Sequence, residues 1–85
     1  MTYTILLKRS AEKELANLPD EIHDRIVEKL QSLIENPNPK GVKKLRGSKE
    51  AYRLRIGSYR VLYIIRKDES KIEVYSIAHR KDVYK

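Results

Sequence analysis

Tyr52-Arg53-Leu54-Arg55-Ile56-Gly57-Ser58-Tyr59-Arg60-Val61-Leu62-Tyr63 is the stretch that decides the fold. Two alternating runs flank Gly57-Ser58, the pattern of antiparallel strands joined by a two-residue loop. With those two residues as the loop, Ile56 faces Tyr59, Arg55 faces Arg60, Leu54 faces Val61 and Arg53 faces Leu62. Side chains alternate between the faces of a strand. One face therefore carries Tyr52, Leu54, Ile56, Tyr59, Val61, Tyr63 and Ile65, and is apolar enough to pack against helices. The other carries Arg53, Arg55 and Arg60, with Leu62 and Ile64 beyond them.

Outward from this hairpin the chain keeps clear periodicities. Ile72 to His79 reads as a strand after the polar turn Lys67-Asp68-Glu69-Ser70, and Val42 to Leu45 as a short one before the hairpin. Tyr3, Ile5 and Leu7 alternate as a first strand. Two helices lie between. Ser10 is a candidate N-cap for the first, with Ala11, Leu15 and Leu18 following at helical spacing. Asn17-Leu18-Pro19-Asp20 ends it, because proline cannot continue a helix but can begin one. Ile22, Ile26, Leu30, Leu33 and Ile34 line one face of a longer second helix, and Asp20, Glu21 and Asp24 suit its positive N-terminal end. The segment Asn36 to Gly41 stops it. Residues 9–35 thus form an αα-hairpin. The expected fold is α+β, a mostly antiparallel sheet of four or five strands with the helical hairpin on one face. Leu15, Leu18, Ile22, Ile26, Leu30 and Leu33 should pack on Leu54, Ile56, Val61 and Tyr63.

A length of 85 residues implies one domain, 1–85, with a core of one sheet against one helical layer. There is no cysteine, which suits a reducing cytosol. His23 and His79 lie far apart with no cysteine to join them, so no metal and no cofactor is expected. No apolar run is long enough to span a bilayer, and the N-terminus does not read as a signal peptide, so a cytoplasmic protein without a membrane partner is expected.

The net charge of +7 is unevenly placed. Residues 1–42 hold 6 Lys and Arg against 7 Asp and Glu, a net of −1; residues 43–85 hold 13 against 5, a net of +8. Segregation of this kind points to a polyanion or an acidic partner. The hairpin register sharpens this. Like charges directly opposite in a ladder repel, so Arg55 against Arg60, with Arg53 nearby, favours an anion among them. Guanidinium forks match phosphate. The plainer reading is a solvated strand face whose arginine stems cover the sheet.

The chain resembles the RelE/ParE toxins, and more closely their RelE branch, over essentially its whole length. Three pieces carry the resemblance: Lys44-Leu45-Arg46-Gly47, Tyr52 to Tyr63, and His79-Arg80-Lys81-Asp82-Val83-Tyr84. It implies a toxin of a type II toxin–antitoxin system. Such a toxin is a ribosome-dependent, metal-independent endoribonuclease that cuts messenger RNA in the A site. The ribose 2′-hydroxyl attacks the adjacent phosphorus. The transition-state arginine falls on Arg60, a second on Arg80, and a C-terminal tyrosine that works on the substrate on Tyr84. Arg53 and Arg55, together with Lys44 and Arg46, fall where phosphates are bound. Because arginine does not readily deprotonate, Arg53 and Arg55 hold phosphates rather than act as bases. Tyr84 is the candidate base; its ordinary pKa is about 10, and nearby cations favour its anion. His79 is the other titrating candidate, placed to protonate the leaving 5′-oxygen. The implied partners are an antitoxin, the ribosome with its messenger RNA, and operator DNA through the antitoxin complex. Two alternatives stay open: a non-nuclease toxin that inhibits DNA gyrase, as in the ParE branch, and a basic module acting only with its antitoxin on DNA.

Overall fold

The computed structural model describes residues 2–37, 39, 42–45, 47 and 50–79. Along them run β1 (Thr4–Leu7), α1 (Arg9–Ala16), α2 (Asp20–Glu35), β2 (Lys43–Lys44), β3 (Ala51–Ile56), β4 (Tyr59–Arg66), a 3₁₀ turn (Lys67–Glu69) and β5 (Lys71–His79). The strands form one sheet in the order β1-β5-β4-β3-β2. All neighbours are antiparallel except β1 and β5, which run parallel across the helical hairpin. The α+β fold read from the sequence is the fold observed.

The β3–β4 register is the expected one, with Ile56 opposite Tyr59, Arg55 opposite Arg60 and Arg53 opposite Leu62. Gly57 takes φ +59° at the first loop position, while Ser58 has no positive φ, the requirement of a type II′ hairpin. The apolar face of this hairpin meets the helices. Ile26, Leu30 and Leu33 from α2 and Ala11 from α1 are buried against Leu54, Ile56, Val61, Tyr63, Ile65, Ile72, Val74 and Ile77. Leu15, Leu18 and Ile22 are partly buried at its edge. Truncating a fully buried side chain such as Leu33 to alanine removes about 2–5 kcal/mol of stability.

Four local devices set the frame. Lys8 donates its N–H to the Val74 carbonyl (2.8 Å), which holds the chain extended against β5 until α1 begins at once at Arg9. Ser10 therefore lies inside the first turn, and Lys8, not Ser10, occupies the N-cap without a side-chain cap bond. Pro19 occupies the N-cap of α2, where its missing N–H costs nothing. On β5, Leu62 faces Ser76 but Tyr63 faces Val74, so Tyr75 is the extra residue of a bulge. That single insertion keeps both Val74 and Ile77 on the core face, although their odd spacing would otherwise put them on opposite faces. Where β1 ends, Glu14 of α1 accepts the Ile77 N–H at 3.2 Å and covers the exposed edge of β5.

Candidate functional site

Strand parity gathers cations on the helix-free face. Lys43 pairs with Arg53 across β2–β3, and Arg55 pairs with Arg60 across β3–β4. Arg53 and Arg55 are two positions apart on one strand and so share a face. Among the described residues, none of these four has a carboxylate within 4.0 Å; the ion pairs present are His23–Asp24, Arg66–Glu73 and Lys71–Glu69.

Arg60 is the centre of the group. It is only 4% exposed, the single buried charged side chain among the described residues, while Arg55 is exposed and Arg53 half-buried. Arg55 flanks it on β3 and the small Ala78 on β5. Its Nε and Nη1 are fully buried without a hydrogen-bond partner among the described residues. A buried donor left unpaired costs about 1–3 kcal/mol, more when charged. An anion brought against the guanidinium offsets the repulsion from Arg55, and it pairs with Nε and Nη1 once the side chain turns them out of the interior. No surrounding carboxylate competes for the guanidinium among the described residues. The arrangement is thus suited to hold a dianionic or developing negative charge.

Two residues expected in this site stand elsewhere. Lys44 pairs with Tyr52, which places it on the helix-side face; Lys43 is the lysine beside the arginines. Lys44 instead lines a mixed-charge depression of about 410 Å³ with Glu50, Arg66, Asp68 and Glu69, at the end of the hairpin away from Gly57. His79 pairs with Tyr59 and stacks edge-on against its ring, centroids 5.2 Å apart, so it also belongs to the helix-side face while its neighbour Ala78 faces Arg60. Arg46, Arg80 and Tyr84 lie outside the described residues. Lys43 was missed because β2 is two adjacent lysines, too short a run for periodicity to reveal which of them faces the arginines.

Other titrating groups are structural. Tyr63 stacks on Tyr52 at 5.9 Å and donates its hydroxyl to the Pro37 carbonyl at 2.9 Å. Burial, aided by Tyr52, pushes its pKa far above the ordinary tyrosine value. Burial also raises that of Tyr75 at the bulge. No group of three or more potential metal ligands clusters among the described residues, and no described helix is long and apolar enough to cross a membrane.

Comparison with known proteins gives a consistent picture. The family described as the ParE toxin of the type II toxin–antitoxin system parDE matches residues 5–84. The chain is 34% identical to a protein of Methanocaldococcus jannaschii named "Putative toxin RelE1", over all of this chain and 98% of the relative. Its fold superposes on the RelE–RelB complex of Pyrococcus horikoshii with a TM-score of 0.84 at 30% identity, covering 94% of this chain and 97% of the other. The isolated RelE toxin of E. coli gives 0.82 at 26% identity, covering 96% and 90%.

Proposed function

Because this chain belongs to the ParE-toxin family of type II toxin–antitoxin systems and is RelE-like in fold, we propose that it is a ribosome-dependent messenger RNA endonuclease. The observation that carries the reading is Arg60, a buried guanidinium with two unpaired nitrogens among three further cations. The reaction is internal transesterification. The ribose 2′-oxygen loses its proton and bonds to phosphorus; the P–O5′ bond breaks, leaving a 2′,3′-cyclic phosphate, and the 5′-oxygen takes up a proton. The nucleophile belongs to the substrate, so the protein need not supply one. Arg60 stabilises charge on the phosphorane oxygens, an effect worth about 10²–10³ in rate for one preorganised donor. Arg53, Arg55 and Lys43 hold the flanking phosphates. Tyr84 takes the 2′-hydroxyl proton, and Arg80 adds charge to the same phosphate. His79, on the other face, has no part in this step. Bound messenger RNA in the ribosomal A site supplies the substrate geometry.

The partner is an antitoxin, as in the RelE–RelB complex. The face that carries the arginines also carries Leu6, Leu62 and Ile64, and Leu6 is 45% exposed. An amphipathic segment with acidic residues matches both halves of that face, and the pair would bind operator DNA as a complex. This toxin acts in the cytoplasm as one domain. The matching family is described as the ParE toxin, and resemblance to that branch implies a second reading, a non-nuclease inhibitor of DNA gyrase. Primer extension on transcripts after induction separates the two. Discrete cleavages in translated messages support the nuclease; intact messages with inhibited DNA supercoiling support the other.

A further inference from the structure

We propose that the cleft between α2 and the β3–β4 turn binds a second phosphate of the RNA whose scissile phosphate lies at Arg60, so that the cationic track continues from the sheet onto the helix. This extends the nuclease reading to a further point of contact and rests on it for the identity of the ligand. The cleft, about 180 Å³, is lined by Arg25, Glu28, Lys29, Arg55, Ile56 and Gly57.

Arg55 joins the two places. It stands opposite Arg60 in the ladder and also lines this cleft. From α2, Arg25 and Lys29 are one turn apart and therefore project from the same side. A side-chain Cβ placed on Gly57 would lie 3.8 Å from Nη1 of Arg25, so the Arg25 guanidinium reaches to the turn itself. Arg25 and Lys29 thus stand at one small concavity that Arg55 also borders, with a single carboxylate, Glu28. Among the described residues none of the four forms an ion pair within 4.0 Å. Like charges at this helical spacing are mildly destabilising on their own, and Glu28 does not neutralise them. Residues 1–42 carry a net of −1, so two cations of the acidic half turned toward the basic one are placed against its overall balance. The glycine adds a reason of its own. With no side chain and φ +59°, it leaves the backbone open to close approach.

A phosphodiester is the ligand that suits this set. It is a singly charged, compact group that repeats along a strand, and it accepts from guanidinium and ammonium alike. An acidic peptide is the competing occupant, and the test tells them apart.

The test uses the intact chain and a single-stranded 2′-O-methyl RNA, which cannot be cleaved. Binding is measured from 50 to 300 mM salt for the wild type, the Arg25→Ala/Lys29→Ala double variant and Glu28→Gln. For single strands the logarithm of the binding constant falls with the logarithm of salt with a slope of about −0.7 for each phosphate neutralised. The double variant should show a slope shallower by about 0.7 or more. Glu28→Gln should bind several-fold more tightly, since it removes the one repelling charge. Should the double variant fail to fold, Glu28→Gln decides alone. Wild-type slope and affinity in the variants that fold would overturn the proposal. So would an unchanged RNA slope accompanied by lost affinity for an acidic antitoxin peptide. Neither readout depends on cleavage, so the second contact and the nuclease activity stand or fall separately.

Discussion

Arg60 lies directly opposite Arg55 in the β3–β4 ladder, yet the first is buried with unpaired nitrogens and the second is exposed. Two like charges face each other, and one of them has also lost its water. That pairing is unfavourable for folding alone and favourable for holding an anion.

A first consequence is measurable in the free protein. Replacing a buried, unpaired charge by an apolar group removes the cost of its unsatisfied donors, about 1–3 kcal/mol. Arg60→Leu should therefore keep or raise the melting temperature, measured by calorimetry. A clear loss of stability would mean that Arg60 is a structural tie.

Inorganic phosphate should act in the opposite sense. A ligand at about ten times its Kd adds roughly 1.4 kcal/mol by mass action, or several degrees for a domain of this size. The wild type should show that shift, and Arg60→Leu a much smaller one. Equal shifts in both proteins would place the anion elsewhere.

Tyr63 provides a pH signature. Its folded pKa is raised, so the folded protein keeps the phenolic proton where the unfolded chain gives it up. The stability from this group is complete below about 10, the unfolded value. It is lost as pH climbs from there toward the folded value. Absorbance titration of the six tyrosines should show one that ionises only as the protein unfolds. Tyr63→Phe should remove that component while costing about 1 kcal/mol at neutral pH for the lost bond to Pro37.

Much of this was legible in the sequence. Gly57-Ser58 and its flanking alternation specify the hairpin, its register and the arginine face, because a two-residue loop leaves no freedom in pairing. The helices follow from Pro19 and the apolar spacing of Ile22 to Leu33. What was not legible depends on contacts distant in sequence. The parallel pairing of β1 with β5 and the bulge at Tyr75 are set by packing. The burial of Arg60 depends on how β5 sits beside β4, with Ala78 next to it. Lys44 looked like a member of the site through the family resemblance, and His79 through its place at the end of the last strand. One residue of strand parity puts them on the other face, with Lys43 in the place expected for Lys44.

The proposed antitoxin surface can be probed at its exposed apolar point. Leu6 shares the arginine face and lies on the edge strand. Leu6→Ser should weaken antitoxin binding by about tenfold, roughly 1.4 kcal/mol, with the remaining affinity falling as salt rises. Titration calorimetry at two salt concentrations checks both. Unchanged affinity would move the interface away from this face.

The most direct measurement is single-turnover cleavage of messenger RNA on programmed ribosomes by the wild type, Arg60→Ala and Arg60→Lys, with ribosome binding measured in parallel. The wild type should leave a 2′,3′-cyclic phosphate. Arg60→Ala should cleave about 10²-fold more slowly or worse while staying folded, and Arg60→Lys should recover only part of the rate, because an ammonium keeps the charge without the planar fork. Cleavage by Arg60→Ala at the wild-type rate would contradict the proposed site.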